Sequence, residues 1–332
     1  MSTRPAVWWF VLLGLLTAAC ALSPAAVTSN LPPAPTETAV VITAVISPSP
    51  QPLPATRTAV PSAAPPPTPV IAQALATSAP APTATFAAYG VPQIIGGSAG
   101  GRSIESYRFG FGSQTIVLVG GMHGGYEWNT IVLAYEMIDY FLENPDQIPA
   151  NISLYIIPSA NPDGQFAVTG VDGRFTAENV TGDIKRGRFN DNQVDLNRNW
   201  ACDWQTEAIW GDTLVSGGTF PFSEPETAAL RAFILRESPE VVLFWHSKAD
   251  GIFVGRCGGE LQPGKEIATQ YSAASGYTVY EEFTAYPISG DASDWLATQN
   301  IPSFTVELKT RDLTDWSENI AGVLAMLDYY GR

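Results

Sequence analysis

Thr115-Ile-Val-Leu-Val119 leads without a break into Gly120-Gly-Met-His-Gly-Gly-Tyr-Glu127, and apolar side chains then recur at positions 128, 131, 132, 135, 138, 141 and 142. The first five residues are largely apolar and β-rich, as in a strand covered on both faces. The later recurrence has the period of a helix, predicted over residues 127–142. Strand, glycine turn and helix in this order open an α/β domain. Three further runs repeat the strand signal: Ile152-Ser-Leu-Tyr-Ile-Ile157, Val241-Val-Leu-Phe-Trp245 and Ser303-Phe-Thr-Val306. Between them, Ser223-Glu-Pro-Glu226 reads as a capping box with Pro in the first turn, opening a helix through Arg236, and a last helix is expected over residues 317–330. No internal repeat is visible.

Outward toward the N-terminus the composition changes. Fifteen of the 27 prolines lie between Ala21 and Ala88, among Ala, Thr, Ser and Val. Proline removes donors and fixes φ, so neither a helical period nor a strand alternation survives there. Residues 21–88 are therefore expected to be a disordered tether. Residues 1–20 read as an export signal, with Arg4 ahead of an apolar stretch from Ala6 to Leu16 and small residues before Cys20. Leu15-Leu-Thr-Ala-Ala-Cys20 resembles the processing site of a bacterial lipoprotein. The expected location is extracytoplasmic, at the cell surface or in the periplasm, with a membrane reached only through an N-terminal lipid or signal anchor.

Residues 89–332 remain as one folded domain, expected to act as a monomer. Residues 1–88 contain only Arg4, Glu37 and Arg57 as charged groups, so of 17 basic and 32 acidic residues the domain holds 15 and 31. That excess of negative charge excludes nucleic acid as a partner, which requires the opposite sign. It also hints at cationic ligands.

Only two histidines occur in the chain, His123 and His246, each just beyond a predicted strand. In an open α/β sheet ligands bind past the carboxyl ends of strands, so both imidazoles are directed to one crevice. Glu127 follows His123 by four residues, where a carboxylate and an imidazole can face the same ion. Two imidazoles, one carboxylate and a fourth position left to water form the ligand set of a catalytic zinc site.

The chain resembles the zinc carboxypeptidases of the carboxypeptidase A type. The resemblance runs through Ile95-Gly-Gly-Ser-Ala-Gly-Gly-Arg102, Gly120–Glu127, Asn161-Pro-Asp-Gly164, Val194-Asp-Leu-Asn-Arg-Asn-Trp200, Phe244-Trp-His-Ser247, Tyr286-Pro-Ile-Ser-Gly-Asp-Ala-Ser-Asp-Trp295 and Phe304-Thr-Val-Glu-Leu308. It implies a single domain with a mixed, mostly parallel twisted sheet flanked by helices. It also implies one Zn2+ ion held by His123, Glu127 and His246. The chain departs from the family by carrying three residues between His123 and Glu127, one more than usual; the glycine pair gives that loop the freedom to absorb the extra residue.

The implied substrates are peptides with a free C-terminal carboxylate. A planar guanidinium grips a carboxylate bidentately, the role the resemblance gives to Arg198, flanked by Asn197, with Tyr286 closing over the same group. Arg188, or alternatively Arg186, is aligned with the donor to the developing oxyanion. Glu307 is the expected general base on activated water and then the acid for the leaving amine. The position that reads the terminal side chain falls at Ser293, and nearby Asp291 suggests that basic residues are accepted. Cys202 and Cys257 are expected to be bonded in an oxidising compartment, bracing two walls of the cleft. Gly96-Gly-Ser-Ala-Gly100 fits a G-x-S-x-G pattern, but the β-like residues after it favour a turn between strands over a nucleophile elbow. Two alternatives stay open, a cell-wall peptide amidohydrolase of the same family and a silent peptide-binding homologue.

Overall fold

The computed structural model describes residues 89–259 and 262–332; the signal and tether expected over residues 1–88 lie outside the described residues. Ten strands and six α-helices follow one another as β1 (Pro92–Gly97), β2 (Ser103–Phe109), β3 (Gln114–Val119), α1 (Trp128–Glu143), β4 (Ile152–Ile157), α2 (Pro162–Thr169), β5 (Glu207–Trp210), β6 (Thr213–Ser216), α3 (Pro225–Glu237), β7 (Val241–Ser247), β8 (Gly251–Val254), α4 (Lys265–Ser275), β9 (Val279–Tyr280), α5 (Ala292–Thr298), β10 (Ser303–Leu308) and α6 (Trp316–Gly331). Eight of the strands form one mixed sheet in the order β1-β2-β4-β3-β7-β10-β8-β9. The central run β4-β3-β7-β10 is parallel, and β1, β2 and β8 join antiparallel. The expected mixed, mostly parallel sheet flanked by helices is what the chain adopts. β5 and β6 make a separate hairpin.

Alternation along β3 explains the layering. Ile116 and Leu118 face a core completed by α1, α4 and α6, while Val117 and Val119 face a second core closed by α3 and α5. All these side chains are buried, so the continuous apolar run is the signature of a strand with two covered faces. Three predicted helices are present with their ends displaced by a residue or two.

The capping box at Ser223–Glu226 does not form. Glu224 is the N-cap of α3 without a side-chain cap bond. Its carboxylate accepts instead from Asn190 and Asn192, and Glu226 turns to Ala99 N and Asn190. The G-x-S-x-G stretch is the turn between β1 and β2, where Ser98 Oγ donates to Asp163 Oδ1 at 2.5 Å and is no nucleophile.

Candidate active site and metal centre

β3 ends at Val119 and β7 at Ser247, side by side and parallel, so the residues that follow emerge at the same edge of the sheet. His123 caps a 3-10 turn that ends with Glu127, and His246 is the penultimate residue of β7. His123 Nδ1 lies 3.0 Å from Glu127 Oε2, His246 Nδ1 lies 3.0 Å from the same oxygen, and the two Nδ1 atoms are 3.1 Å apart. Tetrahedral coordination at about 2.0–2.1 Å separates ligand atoms by roughly 3.3 Å. The spacing and chemistry of this donor set therefore fit one zinc ion, and all three residues are buried.

The extra residue in the loop is absorbed by glycine. Gly124 has φ +43, and a Cβ there would lie 2.7 Å from Gly187 O and 2.8 Å from Gln165 N. Only a residue without a side chain lets the turn press against α2 and the segment leading to Arg188.

Burial disfavours charge on Glu127, but the two histidines outweigh it and hold the carboxyl well below its ordinary range. Glu307 on β10 is the register partner of His246 on β7, so the two side chains project from the same face of the sheet. Its Oε2 accepts from Ala249 N at 3.0 Å. Burial, and then the neighbouring Glu127 carboxylate, push it up to about 7.

Arg188 is buried beside the cluster, 4.0 Å from Glu127 Oε1, whereas Arg186 is exposed. Of the two arginines considered for the oxyanion, only Arg188 reaches the metal ligands. Asp195 holds it: Arg188 Nε and Nη2 each stand 2.8 Å from Asp195 Oδ2. Asp195 Oδ1 lies 3.4 Å from His123 Nε2 and accepts from Asn197 N. The carboxylate is fully buried; burial opposes its charge, but Arg188 and His123 keep it far below the usual range. The motif Val194–Trp200 contains Asp195, but local sequence assigns it no role. Its position immediately before Leu-Asn-Arg was the available signal.

A cleft of about 490 Å³ opens from the cluster, lined by His123, His246 and Glu307 at one end and by Arg198, Tyr286 and Asp294 beyond. Arg198 is almost fully buried; its Nε and Nη2 donate to Ile209 O and its Nη1 to Asn197 O, which leaves two of its five N–H groups for a ligand. Tyr286 lies with its ring centre 6.0 Å from that guanidinium. Asn197 is placed at the cleft, but its amide already joins the loop to α5, donating to Asp291 Oδ2 and accepting from Ala292 N.

Asp291 is the N-cap of α5, accepting from Ser293 N, Ser293 Oγ and Asp294 N besides Asn197. Its lone pairs are taken internally, as is the hydroxyl of Ser293. Of the acids lining the cleft around α5, Asp294 accepts from Arg256 N, and burial together with Asp291 pushes it up to about 8. Cys202 and Cys257 are bonded, with Cα atoms 5.8 Å apart, and tie the Arg198 loop to the strand side of the cleft.

A model of the zinc carboxypeptidase family matches residues 91–317. Carboxypeptidase B of Astacus astacus is 28% identical over 244 residues, covering 66% of this chain and 78% of that protein. The solved structure of carboxypeptidase A from Helicoverpa armigera matches with a TM-score of 0.54 at 23% identity, covering 72% of this chain and 68% of that one. Murein-tripeptide amidase from Escherichia coli O157 matches with a TM-score of 0.52 at 20% identity, covering 76% of this chain and 97% of that one.

Proposed function

The chain belongs to the zinc carboxypeptidase family and is a zinc-dependent hydrolase, and from that premise we propose that it removes single residues from the free C-terminus of peptides outside the cytoplasm. The observation that carries the reading is one cleft with two ends: a two-histidine, one-carboxylate cluster beside Glu307, and the Arg198 guanidinium beyond it. A terminal carboxylate on the two free N–H groups of Arg198 is gripped by a charged fork, and Tyr286 covers it. That grip directs the last peptide bond to the cluster. Arg188 N–H groups face the oxygen on which negative charge develops. Glu307 Oε accepts the proton of the attacking water and delivers it to the departing amine nitrogen. When bound, zinc supplies Lewis acidity toward the carbonyl and toward water.

The terminal side chain enters toward Asp294, and a basic one is favoured because it offers a buried acid its counter-ion. An export signal and lipid tether over residues 1–88, delivering the domain to peptides outside the cell, belong to the same proposal. A second reading, a cell-wall peptide amidase, draws on the charges of both signs in the cleft: Arg256, paired with Glu282 at 2.9 Å, stands beside Asp294. Such a wall suits a terminal side chain ending in both an amine and a carboxylate.

The test is hydrolysis of blocked peptides ending in Lys, Phe and Glu, alongside peptidoglycan stem fragments, by the zinc-loaded chain and its Glu307→Gln variant. Release of terminal Lys by the parent, with the variant binding the same peptide but not cleaving it, is the expected result. Binding without turnover in either protein would mean a receptor, and preference for Glu would reject the basic-residue assignment.

A further inference from the structure

Among the described residues Arg311 has no salt-bridge partner in a strongly acidic domain, although its charge acts on the nearby Glu307 carboxyl. Its Nε is shielded from solvent with no hydrogen-bond acceptor among the described residues. It is nevertheless held in place. Asn129, fully buried at the start of α1, donates to Thr310 O and Leu313 O, each at 2.8 Å, and so pins the turn on both sides of Arg311. Thr310 Oγ accepts from Asp312 N and Leu313 N inside the same turn. The guanidinium lies 4.1 Å from the centre of the Tyr126 ring, close enough for a cation–π contact. Tyr126 adjoins Glu127, and Arg311 follows Glu307 by four residues, so the stacked pair borders the metal ligands.

Its side of the cluster is what matters. Resting on the function proposed above, the terminal residue fills the cleft between the cluster and Arg198. The residue that carries the scissile carbonyl must then extend beyond the cluster, outside that cleft, and Tyr126 and Arg311 adjoin the cluster without lining the cleft. We propose that Arg311 and the Tyr126 ring form a subsite for an acidic side chain on the residue preceding the scissile bond, so that the enzyme selects peptides with Glu or Asp in that place. The guanidinium has its two terminal nitrogens free for a carboxylate fork, and Tyr126 holds its plane.

The test uses two blocked peptides that share the best terminal residue of the series above and differ only in Glu or Gln immediately before it. The zinc-loaded full chain and its Arg311→Gln variant are compared on both. A charge-assisted fork predicts that parent kcat/KM favours the Glu peptide by about tenfold, and that the variant brings the ratio near one. Loss of a merely structural contact lowers both substrates and leaves the ratio unchanged, which would overturn the subsite. Calorimetry on Glu307→Gln, with and without Arg311→Gln, reads the same ratio as dissociation constants. If no peptide is cleaved but the binding ratio appears and depends on Arg311, the hydrolytic function fails and the subsite stands. If cleavage proceeds with a ratio near one in the parent, the subsite alone is wrong. Absence of both cleavage and binding rejects both.

Discussion

Replacing Asp195 by Asn changes one buried charge and almost no volume, and the structure says where the effect must appear. The carboxylate holds two Arg188 nitrogens at 2.8 Å and stands 3.4 Å from His123 Nε2. Asn keeps an oxygen for the Asn197 N–H but faces Arg188 with a neutral group. Arg188, 2% exposed, is then a cation inside the protein without its counter-ion. Breaking a buried pair from one side costs about 3–5 kcal/mol. For a domain of this size that lowers the midpoint of thermal unfolding by roughly 6–20 °C. The second consequence concerns the metal: the negative charge 3.4 Å from His123 Nε2 makes that imidazole a stronger ligand, and losing the charge of such a partner weakens metal affinity by about 10- to 100-fold. Competition against a chelator of known zinc affinity measures the second effect, and thermal unfolding of the metal-free protein measures the first. A variant with zinc affinity within about twofold of the parent would refute the assignment of Asp195 to His123, whatever its stability.

Two more perturbations follow from the same geometry. Burial and Asp291 push Asp294 up to about 8, against 3.8 for the free side chain, with Arg256 opposing and Asp203 reinforcing the shift. Between those values only the folded state keeps the proton, so stability falls as pH rises, by up to about 1.4 kcal/mol per pH unit for this group. Asp294→Asn should flatten that slope in urea unfolding between pH 5 and pH 7.5, and equal slopes in the two proteins would count against it. Trp210 covers Arg188 with its ring centre 4.5 Å from the guanidinium carbon. A desolvated cation–π contact is worth about 2 kcal/mol, so Trp210→Leu should lower kcat by roughly 10- to 30-fold with KM little changed, and Trp210→Phe should restore part of it. A rise in KM at constant kcat would place Trp210 in substrate binding instead.

The parts of the fold that could be read directly were those with one dominant cause. β3, β4, β7 and β10 are apolar along most of their length because both faces are covered, and that leaves an unmistakable run. β1, β8 and β9 lie toward the edges of the sheet, are short or glycine-bearing, and gave no such pattern. The metal ligands were legible because each histidine sits at a strand end, where topology makes convergence probable before any coordinates exist. Asp195, Trp210 and Arg311 were not, since each reaches the site from a turn or hairpin whose path no local periodicity encodes. Asp291 does line the cleft, but the sequence contains its charge and not the four donors that take it up as a helix cap. Ser223 was read as a cap because the rule weighs only local partners, while Asn190 and Asn192 claim the next residue from afar.

The β5–β6 hairpin connects these late arrivals to the early ones. Ile209 and Trp210 are neighbours on β5: the carbonyl of the first accepts two N–H groups of Arg198, and the ring of the second covers Arg188. One short strand thus positions the arginine assigned to the chain end and the arginine beside the metal ligands. Gly290 lets the segment before α5 approach this assembly; with φ +64, it would place a Cβ 2.1 Å from Arg198 O, so no other residue fits there without moving the backbone. Gly290 N donates to Cys202 O, and Cys202 is bonded in turn to Cys257 on the far side of the cleft. The separation between Arg198 and the His123–Glu127–His246 cluster is therefore set by hydrogen bonds, ring stacking and one covalent link. On the proposed exopeptidase function, the site depends on that separation more than on any single contact, because a misplacement of about 1 Å can cost on the order of a hundredfold in rate.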